Sequence, residues 1–236
     1  MSDKKITGLF DKQILIKQIK DNLNGKPAGL DAALVIAGSA FFGVNDKNGA
    51  PYVLHLAQVL MSGTQSKRKT TVGLLHDLLE DTNWTKQDLR DVGFDEKIIK
   101  AVDYVTKQKD EKYFDMIVRC GTSAAEFTGK DKYLAIDVKI ADLSHNMCVD
   151  RQTEFLTQGY IKKLDVYIVA RNYLVAIKKG HIAPGTSMGA FMDKNSKLHD
   201  PALLQEHSSE QRGAGFKTTA AGVTVQERRD LTAQNG

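Results

Sequence analysis

Apolar residues recur at three- and four-residue spacing through most of the first 180 positions, and strand-like alternation is scarce. A chain patterned that way buries stripes of helix, so the spacing predicts an all-α fold. Ile14, Ile16, Ile19 and Leu23 open an amphipathic pattern that Pro27-Ala28-Gly29 ends. Residues 30–42 are Ala-rich and apolar and read as a buried helix. Pro51 stands where proline is favoured, in the first turn of a helix over 51–61. Val72, Leu75, Leu78 and Leu79 place one helix over 67–81, and Thr85 with Asp88 three residues on is a capping signal. Further helices are expected over 94–105, 112–127, 131–149 and 154–179, the last stopped by Gly180.

After Gly180 the pattern weakens. Residues 181–236 hold two of the four prolines and clusters such as Gly213-Ala214-Gly215, so they read as a poorly structured tail with a short helix near 201–211. The expected division is a helical domain over 1–180 and this tail. Lys plus Arg total 33 against 29 Asp plus Glu, a net +4 too mild to announce a nucleic-acid binder. The tail's six basic residues match its six acidic ones, so the excess belongs to the first 180 residues and suits an anionic small molecule. Two cysteines cannot build a disulfide framework. No apolar run approaches the roughly 18 residues of a membrane span, and no signal-peptide core follows Met1. A cytoplasmic protein without a membrane anchor is the expectation; the oligomeric state is open.

Three segments spend polar groups where a helix would prefer none. In Leu75-His76-Asp77-Leu78-Leu79-Glu80-Asp81-Thr82, three carboxylates crowd the end of a helix, where like charges repel and the helix dipole disfavours anions. A bound cation would remove both costs. In Lys139-Ile140-Ala141-Asp142-Leu143-Ser144-His145-Asn146-Met147, Asp142, His145 and Asn146 fall at i, i+3 and i+4 and form one polar face. His55, in Pro51-Tyr52-Val53-Leu54-His55-Leu56, stands alone on an apolar helix, a place where a histidine is more often a core residue than a ligand.

Taken together, a lone His, a His-Asp pair and a later Asp resemble the ligand order of the HD-domain metal phosphohydrolases. Gly49-Ala50-Pro51-Tyr52, the Glu80-Asp81-Thr82 extension, Val105-Thr106-Lys107 and His145-Asn146-Met147 narrow the likeness to the alarmone hydrolase branch, that of the Rel/SpoT proteins and the small alarmone hydrolases. The resemblance spans roughly 30–175 and implies an HD-type helical bundle. It implies that His55, His76, Asp77 and Asp142 hold one divalent metal, typically manganese, which would polarise a phosphoryl group and make a water nucleophilic near neutral pH. Glu80 and Asp81 match the acidic pair that orients that water or handles its protons. Asn146 matches a nucleotide-positioning residue. Lys47 and Lys107 could meet phosphate charge, as could Lys139 or the Lys67-Arg68-Lys69 cluster.

The implied activity is removal of the 3′-pyrophosphate from guanosine tetra- or pentaphosphate. Three departures bear on the base: Asp46 stands where the family carries an arginine implicated in holding guanine, Leu143-Ser144 replaces Arg-Leu, and Val149 stands at the family's threonine position. The alternatives are an HD nucleotidase acting on a deoxynucleoside triphosphate or on the 2′-phosphate of NADPH, and a nucleotide-binding module without turnover.

Overall fold

The computed structural model of the chain describes residues 8–46, 49–62, 66–148 and 158–195. They form α1 (Lys12–Leu23), α2 (Leu30–Ala40), α3 (Tyr52–Ser62), α4 (Lys67–Leu75), α5 (Leu78–Asp81), α6 (Lys86–Val92), α7 (Glu96–Val105), α8 (Tyr113–Glu126), a 3₁₀ turn at Gly129–Asp131, α9 (Leu134–Asn146), α10 (Gln158–Lys178) and α11 (Met188–Lys194). Among the described residues there are no strands, only isolated bridges joining Ala28 to Phe94 and Asn45 to Pro51. The all-α expectation holds. No described helix is long and apolar enough to cross a membrane.

The bundle is organised around α4 and α9. Every residue from Thr70 to Leu75 is buried, and α9 packs against α3, α4, α7, α8 and α10. A helix buried along most of its length has little solvent face on which to put polar groups. Between these two helices Lys69 of α4 pairs with Asp137 of α9.

Helix ends follow local chemistry. Asp11 caps α1 by accepting from the amides of Gln13 and Ile14. The Thr85–Asp88 signal is a full capping box: Asp88 N–H donates to Thr85 Oγ1 at 3.2 Å, and Thr85 N–H donates to Asp88 Oδ2 at 2.8 Å. Gly180, at φ +74°, ends α10, with its N–H bonded to Ile177 O and that of His181 to Ala176 O.

Three expectations change. In α1 the buried stripe is Leu15, Ile16 and Ile19, whereas Ile14 points outward because its turn of helix faces away from the bundle. Only one face of α2 is buried, since Leu34 and Val35 are half exposed and Phe42 just beyond it is exposed. The expected helix over 67–81 is broken at His76 and Asp77. There the His76 ring Nδ1 lies 2.7 Å from Gly73 O, the carbonyl that the Asp77 amide would use in a continuous helix. Asp77 turns to φ −99° and ψ −2°, and the ladder resumes at α5 with Asp81 N–H on Asp77 O.

Packing continues past Gly180. Met188, Phe191 and Met192 of α11 are buried, and Tyr173 Oη donates to Thr186 O at 2.6 Å. The helix expected near 201–211, the positions 149 and 154–157, and Lys47 lie outside the described residues.

Candidate metal centre

Helix α3 buries Tyr52, His55, Leu56 and Val59, one continuous stripe at helical spacing. His55 thus occupies a core position and reaches the break between α4 and α5. His76 arrives from that break, and Asp142 from the face of α9 turned toward α4; all three are buried. His55 Nε2 lies 3.2 Å from His76 Nε2 and 3.4 Å from Asp142 Oδ1. Asp77 Oδ2 lies 2.8 Å from His76 Nε2 and 3.5 Å from His55 Nε2.

His76 Nε2 stands 3.7 Å from Asp142 Oδ1, so three donors are gathered closely enough to share an ion, with Asp77 beside them. Ligand atoms about 2.1 Å from a shared ion, at octahedral or tetrahedral angles, stand about 3.0–3.4 Å apart. Two imidazoles and two carboxylates suit a borderline divalent cation. His55, His76 and Asp142 form a group able to hold a metal ion, and Asp77 flanks it.

The electrostatics agree. Burial works against charge on His76, but Asp77 and Asp142 prevail and raise its pKa well above the ordinary value; His55 is raised for the same reason. The same burial works against Asp77 and Asp142, whose carboxyls are nevertheless held far below the usual range by the imidazoles and, for Asp142, foremost by Lys139. The buried Asp142 and part-buried Asp77 carboxylates demand positive charge, and a divalent cation meets that demand without protonating the rings.

Half of the chain is similar to known alarmone hydrolases. Over 120 residues, 49% of this chain, it is 33% identical to a guanosine-3′,5′-bis(diphosphate) 3′-pyrophosphohydrolase of Borreliella burgdorferi. A protein of that name from Vibrio cholerae is 30% identical over 126 residues. The matched stretch covers 18% and 17% of those two proteins, which are much longer. No family model matches the chain. Among solved structures, that of a metazoan SpoT ortholog described as hydrolysing ppGpp superposes with a TM-score of 0.51 at 20% identity, covering 72% of this chain and 96% of that one. The chain shares its fold with that SpoT ortholog.

Within that fold the remaining candidates fall in different places. Glu80 keeps part of its side chain in solvent and accepts from the backbone N–H of Lys107 at 2.9 Å. Its carboxyl is pushed up by loss of solvent first and by the Asp77 charge, against the pull of Lys139 and of the Lys107 amide. Asp81 is half-buried on the turn after Asp77, near enough to Tyr52 to raise the phenol, after burial and Asp77. Asn146 Nδ2 donates to Asp142 Oδ1 at 2.7 Å, so this amide holds the oxygen that faces the imidazoles. Lys139 is buried with Nζ 2.9 Å from Asp142 Oδ2, and Arg68 and Lys69 are paired with Asp131, Asp95 and Asp137. Those three cations serve internal carboxylates.

Other groups at the centre carry little signal in the sequence. Tyr52 Oη donates to Asp77 Oδ2 in a short hydrogen bond, yet a tyrosine on an apolar helix face reads as core. The Gly73 carbonyl fixes the His76 ring with Nδ1 protonated and Nε2 turned toward His55 and Asp77. His145 sets its Nδ1 2.6 Å from His55 Nδ1. For His145 the i, i+3, i+4 pattern with Asp142 and Asn146 was the available clue.

Proposed function

We propose that this chain is a metal-dependent phosphohydrolase that removes the 3′-pyrophosphate of guanosine tetra- or pentaphosphate, adding water across the phosphoester to release pyrophosphate. The observation that carries the reading is the gathering of His55, His76 and Asp142 within reach of one ion, with Asp77 beside both imidazoles, in a chain half of which is similar to enzymes named for that reaction.

In this reading His55, His76, Asp77 and Asp142 hold one divalent ion, with manganese the expected metal. Such an ion supplies a positive charge that polarises a phosphoryl group and eases loss of a proton from water. Glu80 and Asp81, on the exposed side of the break, orient the attacking water and take its proton. The raised carboxyl of Glu80 suits proton exchange nearer neutrality. Asn146 keeps Asp142 aimed at the ion position and stands at the edge where the nucleotide would sit. Lys107 and Lys47 meet phosphate charge. The partner is a small nucleotide rather than a nucleic acid, consistent with the mild net charge, and a soluble cytoplasmic enzyme fits it.

A second reading has one observation in its favour. Asp46, at the family's guanine-holding arginine position, accepts from Ala50 N–H at 3.0 Å and braces its loop. A carboxylate there favours a different base or phosphate pattern, as in an HD nucleotidase or an NADPH phosphatase.

Incubating the manganese-loaded protein with guanosine tetraphosphate, the deoxynucleoside triphosphates and NADPH, and following released phosphate species, separates these. Pyrophosphate from the guanosine compound alone is expected. Triphosphate or orthophosphate from another compound, with none from guanosine tetraphosphate, would overturn the primary reading. In the same assay Asp46→Arg should raise turnover of guanine substrates if the carboxylate limits base binding.

A further inference from the structure

We propose that Arg119 of α8 is a positioning residue for Glu80, acting through the single peptide unit that joins Thr106 to Lys107. The proposal rests on the reading of Glu80 as the group that handles the attacking water.

The geometry is specific. Arg119 Nη2 donates to Thr106 O at 2.7 Å, and Lys107 N–H donates to Glu80 Oε2 at 2.9 Å. That carbonyl and that N–H belong to one planar amide, whose C=O and N–H point in opposite directions. Arg119 and Glu80 therefore grip opposite ends of a rigid plate about one peptide wide. A cation on the carbonyl also polarises the amide and strengthens its N–H as a donor to the carboxylate.

The rest of the loop holds Arg119 to this task. Its Nη1 donates to Asp103 O at 3.0 Å, and Nε and Nη2 make a two-pronged pair with Glu111 at 2.7 and 2.9 Å. Glu111 also accepts from Gln108 N–H at 2.8 Å, and Gln108 Nε2 donates to Asp103 Oδ1 at 3.1 Å. Asp110 takes a left-handed φ of +63°, which folds Glu111 back toward Arg119. Asp103, Thr106 and Glu111 of the 103–111 segment thus converge on one guanidinium, and Lys107 N–H reaches from the same segment to Glu80. Neither α5 nor α8 alone would fix the Glu80 carboxylate, because its side chain reaches toward solvent from a four-residue helix. A lysine could replace one of these bonds but not the planar fork.

Arg119→Met and Arg119→Lys, each in the unaltered and in the Glu80→Gln background, test this with guanosine tetraphosphate. Arg119→Met should lower kcat roughly ten-fold or more, as small misplacements of a reacting group do, with KM within about two-fold. The lysine variant should fall between, and it carries the test if the methionine variant does not fold. In the Glu80→Gln background the same substitutions should have no further effect. An equal loss in both backgrounds, or a change in KM alone, would overturn the proposal. Glu80→Gln turning over at the unaltered rate would overturn the role of Glu80 and the proposal with it. Absence of turnover by the unaltered protein overturns instead the function proposed above. Amide exchange at Lys107, measured by NMR, then decides the bridge by itself: acceleration in Arg119→Met supports it, and unchanged exchange refutes it.

Discussion

The Nδ1 atoms of His55 and His145 lie 2.6 Å apart, with the two rings stacked at an angle of 14°. Two ring nitrogens at that distance share one proton, so one must donate and the other accept. For His55 to offer Nε2 to a cation, its Nδ1 must carry the hydrogen, which makes His145 Nδ1 the acceptor and places its own hydrogen on Nε2. One histidine thereby sets the tautomer of another across 90 residues of sequence.

Replacing His145 with alanine should therefore weaken manganese binding by roughly ten- to a hundred-fold while the chain stays folded. Calorimetric titration of the metal-free protein measures this. An unaltered affinity would show that His55 needs no partner to present its nitrogen.

Asp77→Ala and Asp142→Ala should part company. Asp142 neutralises Lys139 inside the bundle, and both are buried. Its removal leaves a buried cation unpaired and should cost about 3–5 kcal/mol of stability as well as the metal. Asp77 is more accessible and close to Tyr52 and the imidazoles, so Asp77→Ala should abolish metal binding and turnover with a much smaller loss of stability. Urea unfolding beside metal titration reads both. Equal destabilisation by the two substitutions would contradict the assignment of Lys139 to Asp142.

Acid stability should depend on Asp88. Its carboxylate resists some desolvation and is held below the ordinary range by Lys12 and by the side chain and amide of Thr85. A carboxyl with a depressed folded-state pKa contributes stability that is fully present above its unfolded value, about 3.9, and is lost as pH falls through the folded value. The gap in unfolding free energy between the unaltered protein and Asp88→Asn should thus be steady from pH 5 to 7 and shrink below about pH 4. A gap that stays constant down to pH 3 would mean that the cap, rather than the charge, accounts for it.

Gly121 lets α8 and α10 approach. A Cβ there would stand 2.5 Å from Ile177 Cδ1 and 3.1 Å from Cε1 of the buried Tyr173 ring. The isoleucine tip can swing, but the ring is enclosed, so Gly121→Ala should destabilise by about 1–3 kcal/mol. Adding Ile177→Val removes the nearer atom and should recover part of that loss. Strict additivity of the two substitutions in thermal unfolding would show that the contact is not what limits the site.

Much of the fold was legible locally. Spacing gave the helical class, Thr85 with Asp88 gave a cap, and Gly180 gave a stop, because each depends on residues within a turn of one another. The break at His76 was not legible, since Val72, Leu75, Leu78 and Leu79 keep one helical period straight through it. What interrupts the ladder is a side chain competing for Gly73 O, and a hydrophobic pattern does not record side-chain hydrogen bonds. Lys139 shows the reverse: as a lysine it suggested a phosphate contact, and burial beside Asp142 gave it an internal partner.

The sequence by itself determined that this chain buries helices, and it put His55, His76, Asp77 and Asp142 in an order that resembles the ligand order of the HD-domain metal phosphohydrolases. Tertiary structure alone decided that His145 answers His55, that Tyr52 meets Asp77, and that one peptide between α7 and α8 links Arg119 to Glu80. The reason is physical. Periodicity fixes which face of a helix turns inward, but the partner that face meets is set by how helices distant in sequence dock together.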